Sequence, residues 1–280
     1  MPSQTQNLIY DVGLHKGEDT DFYLKKGFNV VAIEASPDLV AHAKVRFKEA
    51  IMNGTLRIIE GAIAPPSAGP KIIFYANSTE TVWGTTKAEW AQRNEKLGHP
   101  SECIEVNRVD IAEIYRTYGV PFYLKVDVEG ADRLVLEELK LFSNRPQYVS
   151  LESEKVDFNA LKAELELLKS LGYTRFKLVQ QQSIPGTKIT TPALDGQLFD
   201  YVFESHASGP FGADLPSPWI SYDEALEQYR AVFRLYRHFG DNSLLRKMPE
   251  GIQKIFHKAY RMGTRYQGPL PGWFDTHAAI

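Results

Sequence analysis

The sequence is poor in cysteine and has no long apolar run. Cys103 is the single cysteine among 280 residues, so no disulfide can form within the chain, which is typical of a reducing compartment. No apolar run approaches the length of about 20 residues that spans a bilayer. Residues 1–7 lack the cationic start and apolar core of a signal peptide. We therefore expect a cytoplasmic protein that makes no use of a membrane.

An excess of positive charge is also missing. The chain has 32 Lys and Arg against 35 Asp and Glu, a net charge of -3, which gives no electrostatic reason to bind nucleic acid. His, Cys and Asp nowhere recur at transition-metal spacing, so no metal ligand is predicted. With 43% hydrophobic and 24% charged residues, the composition is that of a globular chain that can fill a core.

Short β-rich runs alternate with amphipathic segments, which indicates β-α units and a parallel sheet. Ser36 followed by Pro37 predicts a helix start after the second strand. The predicted strands of this α/β fold cover residues 8–13, 29–34, 57–64, 71–76, 122–128, 148–152, 173–179 and 198–204.

The composition changes after residue 205. A Gly- and Pro-rich loop at 208–218 precedes predicted helices at 221–239 and 249–262, and residues 268–280 look irregular. We therefore expect a sheet domain at 1–205, with a polar insertion at about 77–100, and a helical C-terminal extension at 206–280. The extension would either cover the ligand-binding edge or form the contact of a homo-oligomer.

The first predicted strand runs into a glycine-rich turn, residues 11–17. Gly13 permits a sharp turn into the helix, and Gly17 permits close approach of a ligand to the first helical turn. Glu34 ends the second strand about 20 positions later, where an acid accepts hydrogen bonds from ribose hydroxyls. The glycine pattern alone would fit a βα turn that binds no ligand equally well. The acid at Glu34, at the end of the next strand, is the observation that favours a cofactor site.

Two residues of this turn separate the candidate cofactors. A dinucleotide site needs the middle glycine of G-x-G-x-x-G for pyrophosphate approach, and His15 occupies that position. Asp11, ahead of the first glycine, suits the cationic amino group of a methionine better than a pyrophosphate. The pattern therefore favours S-adenosylmethionine over NAD.

A second cluster of acids follows the strand at 122–128. Asp127 and Glu129 stand at its carboxyl end, and Glu152 ends the next strand. Three interpretations stay open: Asp127 accepts a proton from a substrate hydroxyl, the three acids share a divalent cation such as magnesium, or Glu129 and Asp132 cap the following helix. Lys125, inside the strand, is expected to pair with one of these acids.

These motifs resemble those of FkbM-type methyltransferases. The resemblance rests on Asp11-Val12-Gly13 with Gly17 and Thr20, on Glu34-Ala35-Ser36-Pro37, and above all on the K-x-D-x-E-G stretch from Lys125 to Gly130. It covers roughly residues 8–155. It implies a class I methyltransferase fold, Rossmann-like, with a mostly parallel seven-stranded sheet and helices on both faces. It also implies S-adenosylmethionine as donor and O-methylation of a hydroxyl on a sugar or secondary metabolite.

The resemblance also assigns roles to residues. Asp11, Gly13 and Gly17 would line the methionine end, Glu34 the ribose and Ala62 the adenine. The full predicted cofactor set is Asp11, Gly13, His15, Gly17, Thr20, Glu34, Ala35 and Ala62, and the predicted catalytic set is Asp127, Glu129 and Glu152. The sequence departs from the family at residues 14–16, where Ala-Asn is common.

Several alternatives remain open at this stage. Transfer to nitrogen or to a carboxylate fits the same motifs, as does a methyltransferase-like scaffold that binds without turnover. A divalent cation is not favoured. The expected partner is a small-molecule acceptor. Trp83 and Trp90 in the insertion either stack on that acceptor or pack against the sheet. His15, His206 and His277 are candidate bases, but histidines in such positions are more often surface or packing residues.

Overall fold

The structure is a computed structural model that describes residues 4–77, 81–128, 130–154, 157–216, 218–239, 243, 245, 248–264 and 274–280. In these residues the strands are β1 (Gln4–Val12), β2 (Asn29–Glu34), β3 (Leu56–Glu60), β4 (Ala62–Ile63), β5 (Lys71–Asn77), β6 (Ser101–Val109), β7 (Val120–Val126), β8 (Tyr148–Glu152), β9 (Arg175–Gln180), β10 (Lys188–Pro192), β11 (Leu198–Val202) and β12 (Phe274–Ala279). The α-helices are α1 (Glu18–Lys25), α2 (Pro37–Arg46), α3 (Lys48–Met52), α4 (Ala88–Lys96), α5 (Ile111–Tyr118), α6 (Asp132–Glu138), α7 (Phe158–Ser170), α8 (Tyr222–Phe239) and α9 (Glu250–Thr264).

The chain divides into two compact units. The first comprises Met1–Leu151 and Lys188–Tyr201, and the second comprises Glu152–Thr187 and Val202–Ile280. The main sheet has seven strands within the described residues, and most of its pairings are parallel. The prediction of an α/β fold with a mostly parallel seven-stranded sheet is therefore confirmed. The proposed domain boundary at residue 205 stays a prediction.

The first unit contributes five parallel strands in the order β3-β2-β1-β7-β8. The chain moves outward from β1 through β2 to β3 and then returns to β7 on the other side of β1, so the strand order reverses between β1 and β7. In the shared register, Val12 at the end of β1 pairs with Val126 at the end of β7. Ligands of such sheets bind at the carboxyl ends of the strands beside this reversal.

The first unit also carries a small second sheet. Its order is β4-β6-β5, with β5 and β6 antiparallel, and the sequence did not predict β6. Glu102, Cys103 and Glu105 of β6 are exposed, while Val106 and Val109 are buried. A strand with few apolar residues gives only a weak alternation signal, which is the reason that it was missed.

Two predictions about late strands were wrong. The segment at 198–204 was expected in the main sheet, but among the described residues β11 pairs with β10 in a separate two-stranded sheet. The tail at 268–280 was expected to be irregular, yet Phe274–Ala279 forms β12, antiparallel to β9. Residues 268–273 lie outside the described residues.

The second unit shows why β12 escaped prediction. Asp275, Thr276 and His277 are polar but at most 6% exposed. The Thr276 hydroxyl lies 2.6 Å from Tyr229 Oη and 2.9 Å from Ser153 Oγ, so a buried polar network holds the strand. A strand stabilised in this way lacks the apolar alternation from which strands are predicted. No helix among the described residues is both long and apolar enough to cross a membrane.

The buried His277 makes a testable contribution to stability. Burial lowers the pKa of His277 to about 3 from 6.5, with a further lowering by Lys177. The unfolded chain therefore binds a proton that the folded chain excludes between these two values. We expect the free energy of unfolding to be fully maintained above pH 6.5 and to fall below it, by up to about 1.4 kcal/mol per pH unit.

Urea unfolding of wild type and His277→Gln over the range from about pH 7.5 to about pH 5 measures this dependence. The His277→Gln protein should lose most of the acid sensitivity. The matched control is His42→Gln, because His42 is exposed on α2, and this variant should keep the wild-type slope. Equal slopes in all three proteins would show that His277 titrates normally in the folded state.

Candidate active site

The site is built where the ends of β1 and β7 touch. After β1 the chain turns at Gly13 with φ +93°, and the Asp127 N–H donates to the Val12 carbonyl at 2.8 Å. A Cβ on Gly13 would overlap the Asp127 carbonyl oxygen. Glycine is therefore required here both for its positive φ and for the close approach of the two strand ends.

Beneath this contact, a buried lysine joins the two strands and the first helix. Lys125 Nζ lies 3.2 Å from Asp11 Oδ1 and 3.3 Å from Asp19 Oδ2, and it donates to the Gly13 carbonyl at 3.1 Å. Thr20 donates to the other Asp11 oxygen at 2.6 Å. Lys125 was expected to pair with Asp127, Glu129 or Glu152. Asp127 does lie within ion-pair distance, at 4.0 Å, but the nearest carboxylates are those of Asp11 and Asp19, which the sequence did not suggest as partners.

The opposite charges of Lys125 and its neighbouring carboxylates stabilise each other's ionised form. Burial raises the pKa of Asp11 to about 6, and Lys125 opposes that rise. Burial acts to lower the pKa of Lys125, but the carboxylates of Asp11, Asp19 and Asp127 outweigh it and hold that pKa well above its ordinary value. A buried ammonium flanked by two buried carboxylates is stable only while all three groups are present.

Glu34, at the end of β2, holds the glycine turn in place. Its side chain is buried, with one oxygen accepting the His15 N–H at 2.9 Å and the other accepting the Ser36 N–H at 2.8 Å. Burial raises the pKa of Glu34, and these backbone donors oppose the rise. A carboxylate has about four lone-pair sites, so two backbone bonds leave capacity for hydroxyl donors of a ligand.

His15 links the turn to the insertion. Its backbone has φ +52°, a left-handed conformation in which His, Asn and Asp are enriched. Its Nδ1 lies 3.0 Å from Glu18 Oε1, and its Nε2 lies 2.8 Å from Thr81 Oγ1. The side chain that replaces a dinucleotide glycine is therefore held between the first helix and residue 81.

The other predicted cofactor residues are placed in three ways. Ala35 and Ala62 belong to one apolar cluster, together with Ile72, Phe74 and Val106. Asp11 and Thr20 are fully buried below the turn. Gly17 lies directly against the Phe47 ring, which a Cβ at this position would overlap, and not against an open ligand space. The cofactor contacts of these residues stay predictions.

The predicted catalytic acids are placed differently from one another. The Asp127 side chain is 45% exposed and its carboxylate lies 4.0 Å from Lys125 Nζ. Glu152 ends β8, is half-buried and belongs to the second unit. Glu129 lies outside the described residues. Asp132 begins α6 and accepts the Gly130 N–H at 3.2 Å, so it orders the loop that precedes its helix.

Sequence reasoning missed Asp19 and Thr81 as supports of the site. Asp19 follows the turn by two residues and looks like an ordinary first-turn acid, and Thr81 lies in the insertion, far from either motif. Across the described residues, no three His, Cys, Asp or Glu side chains come together in a way that could hold a metal ion.

The fold and the site define a Rossmann-like α/β protein of the class I methyltransferase type, with its ligand edge at the ends of β1, β2 and β7. The sequence model of the methyltransferase FkbM domain matches residues 11–175, which is more than half of the chain. The chain belongs to the FkbM methyltransferase domain family, and it is a methyltransferase.

Solved structures with a detectable likeness include methyltransferases of distant sequence. The methyltransferase FkbM of Methylobacillus flagellatus KT is 14% identical, with 64% of this chain and 41% of that chain covered and a TM-score of 0.39. Precorrin-6y C5,15-methyltransferase of Geobacter metallireducens GS-15 is 9% identical, with coverages of 71% and 77% and a TM-score of 0.37. No curated protein sequence matches the chain. The family assignment rests on the domain match.

The contact between Gly13 and Asp127 predicts the effect of one added methyl group. Gly13→Ala should destabilise the protein by about 1–3 kcal/mol more than the φ strain alone, because the methyl group overlaps the Asp127 carbonyl. Urea unfolding measures the loss.

Gly54→Ala is the matched control. Gly54 has φ +76°, and a Cβ there meets no atom within 4 Å, so this variant carries only the left-handed strain of about 1–2 kcal/mol. Equal losses in the two variants would contradict a tight contact between the two strand ends.

Proposed function

We propose that the protein transfers a methyl group from S-adenosylmethionine to a hydroxyl oxygen of a small molecule, a sugar or secondary metabolite. The observation that carries this proposal is the presence of two acids in different surroundings at the ends of β2 and β7, the two strands that flank β1. Glu34 is buried and holds the glycine turn, while Asp127 across the same edge is exposed. A fixed acid suits ribose recognition, and an exposed acid suits contact with an exchanging acceptor.

The residues present fit the donor. Glu34 has lone pairs left for the two ribose hydroxyls, and Ala35 with Ala62 offers an apolar surface next to it for the adenine ring. His15 would lie along the donor, because its N–H is fixed to Glu34. Asp11 and Thr20 would act from below, by holding Lys125 and through it the Gly13 carbonyl.

When bound, S-adenosylmethionine supplies a methyl group already activated by its sulfonium, so the protein mainly aligns the acceptor oxygen and excludes water. Alignment of this kind lowers a barrier by about 7–11 kcal/mol. Asp127 would accept the proton of the acceptor hydroxyl, a contribution of about 10²–10⁴-fold in rate. Lys125, at 4.0 Å, supplies the neighbouring positive charge that favours one orientation of the Asp127 carboxylate.

Calorimetric titration with S-adenosylhomocysteine tests the donor site. Wild type should bind it, and Glu34→Gln should weaken binding by about 10–100-fold, because hydrogen bonds to a charged group contribute about 1.5–3 kcal/mol. Glu60→Gln, at the half-exposed end of neighbouring β3, is the control and should bind as wild type does. A folded wild-type protein that does not bind S-adenosylhomocysteine would overturn the proposal.

Asp127→Asn tests the acceptor side separately. This variant should bind S-adenosylhomocysteine as wild type does and lose about 10²–10⁴-fold in turnover on any hydroxylated acceptor found by screening. Asp38→Asn, an exposed acid in the first turn of α2, is the control. Full turnover by Asp127→Asn would remove the assignment of Asp127 as the base.

A further inference from the structure

The insertion reaches both loops of the candidate site. Thr81, in its first turn, bonds to His15 of the glycine turn. Lys87, just before α4, lies against Gly130 of the loop after β7, because a Cβ on Gly130 would lie only 2.8 Å from Lys87 Nζ. The segment from Thr81 to Lys96 therefore borders the edge at which Asp127 is exposed.

This segment carries a cluster of cations and aromatic rings, Trp83, Lys87, Trp90 and Arg93, which we call the cationic-aromatic cluster. Lys87 Nζ lies 5.0 Å from the centroid of the Trp90 ring. The Arg93 guanidinium lies 5.5 Å from the Trp90 centroid and 6.0 Å from the Trp83 centroid. Two positive charges and two indole faces thus share one patch beside the site.

The arginine of the cluster is held in position. Arg93 Nε and Nη2 both donate to Asn94 Oδ1, at 3.2 and 3.0 Å, and the buried Asn94 donates in turn to the Trp83 carbonyl at 3.2 Å. Asn94 is 1% exposed, whereas Arg93 is exposed. A guanidinium that is held at one edge, through Nε and Nη2, and belongs to an exposed residue is preorganised to bind an anion.

Within the residues that the structure describes, neither cation of the cluster has a carboxylate partner, since no Asp or Glu oxygen there lies within 4.0 Å of Lys87 or Arg93. Glu89 precedes Arg93 by four positions on α4, the spacing of a helical ion pair, yet Arg93 is bonded to Asn94 instead. Two cations without a described carboxylate partner, on a chain of net charge -3, are the charge arrangement that an anionic ligand requires.

We propose that the methyl acceptor carries an anionic group, a carboxylate or a phosphate, which Lys87 and Arg93 bind. The inference rests on the proposed function, because it describes the acceptor of that same site. Charge-assisted bonds from Lys87 and Arg93 recognise the anion, and the Trp90 ring, which both cations approach, keeps them close to each other. The reacting hydroxyl then lies toward Asp127.

Three probes of similar size test the proposal by calorimetry on the S-adenosylhomocysteine-saturated protein: D-glucose, D-glucuronate and D-glucose 6-phosphate. At least one anionic sugar should bind about tenfold or more tightly than glucose, and preference between the two anionic sugars separates carboxylate from phosphate recognition. Lys87→Met and Arg93→Met should each lower the ratio of anionic-sugar affinity to glucose affinity by about tenfold. The control is Lys96→Met, at the exposed end of the same helix, which should change nothing.

The outcomes separate this proposal from the proposed function. The anion site would be overturned if glucose and both anionic sugars bound equally, or if none of the three bound. It would also be overturned if Lys87→Met and Arg93→Met kept the wild-type preference for an anionic sugar. Binding of S-adenosylhomocysteine is measured first in every variant and reports folding and the donor site alone. A wild-type protein that does not bind S-adenosylhomocysteine would overturn the proposed function. Titration of the same three sugars into the free protein would then still show whether Lys87 and Arg93 bind an anion.

Discussion

The buried ammonium of Lys125 is the constraint on which the candidate site depends. A lone buried charge costs several kcal/mol, and here Asp11 on β1 and Asp19 on α1 offset that cost at 3.2 and 3.3 Å. The two partners come from β1 and α1 and the lysine itself from β7, so these three elements must meet in one arrangement. The same lysine donates a hydrogen bond to the Gly13 carbonyl, and Gly13 lies in close contact with the Asp127 backbone.

The three acids at the strand ends differ in burial and therefore in the interactions that they can make. Asp11 is fully buried and its oxygens are bonded to Lys125 and Thr20, so it acts as a support. Glu34 is buried but keeps hydrogen-bonding capacity, and it ties the turn to β2 through the His15 N–H. Asp127 alone of these three is substantially exposed. Similar carboxylates differ in chemistry because their surroundings differ in solvent access and in nearby donors.

The insertion contributes side chains near the candidate site that lie outside the family motifs. Its first turn is fixed to His15, and its helix begins against Gly130, so its side chains border the edge that an acceptor must approach. Asn94 orients Arg93 between two indole rings. In the proposed function, the strand-end acids serve the donor and the reaction, and the insertion is the part of the first unit to which we assign recognition of the acceptor.

Local patterns along the chain were enough to predict the parallel β-α order and the strand ends that bear Glu34 and Asp127, but not that Asp11 and Asp19 are the closest carboxylates to Lys125. They also predicted the helix start at Ser36, whose side chain lies 3.5 Å from the Leu39 N–H. Apolar runs, caps and glycine turns depend on neighbouring residues, which is why the sequence reveals them.

The folded chain was needed to show that Asp11 is a buried support, that Gly17 packs on Phe47 and that Thr81 bonds to His15. It was also needed to show that the polar segment Phe274–Ala279 is a strand. Each of these features depends on burial and on partners that are distant along the chain, and no local pattern encodes either.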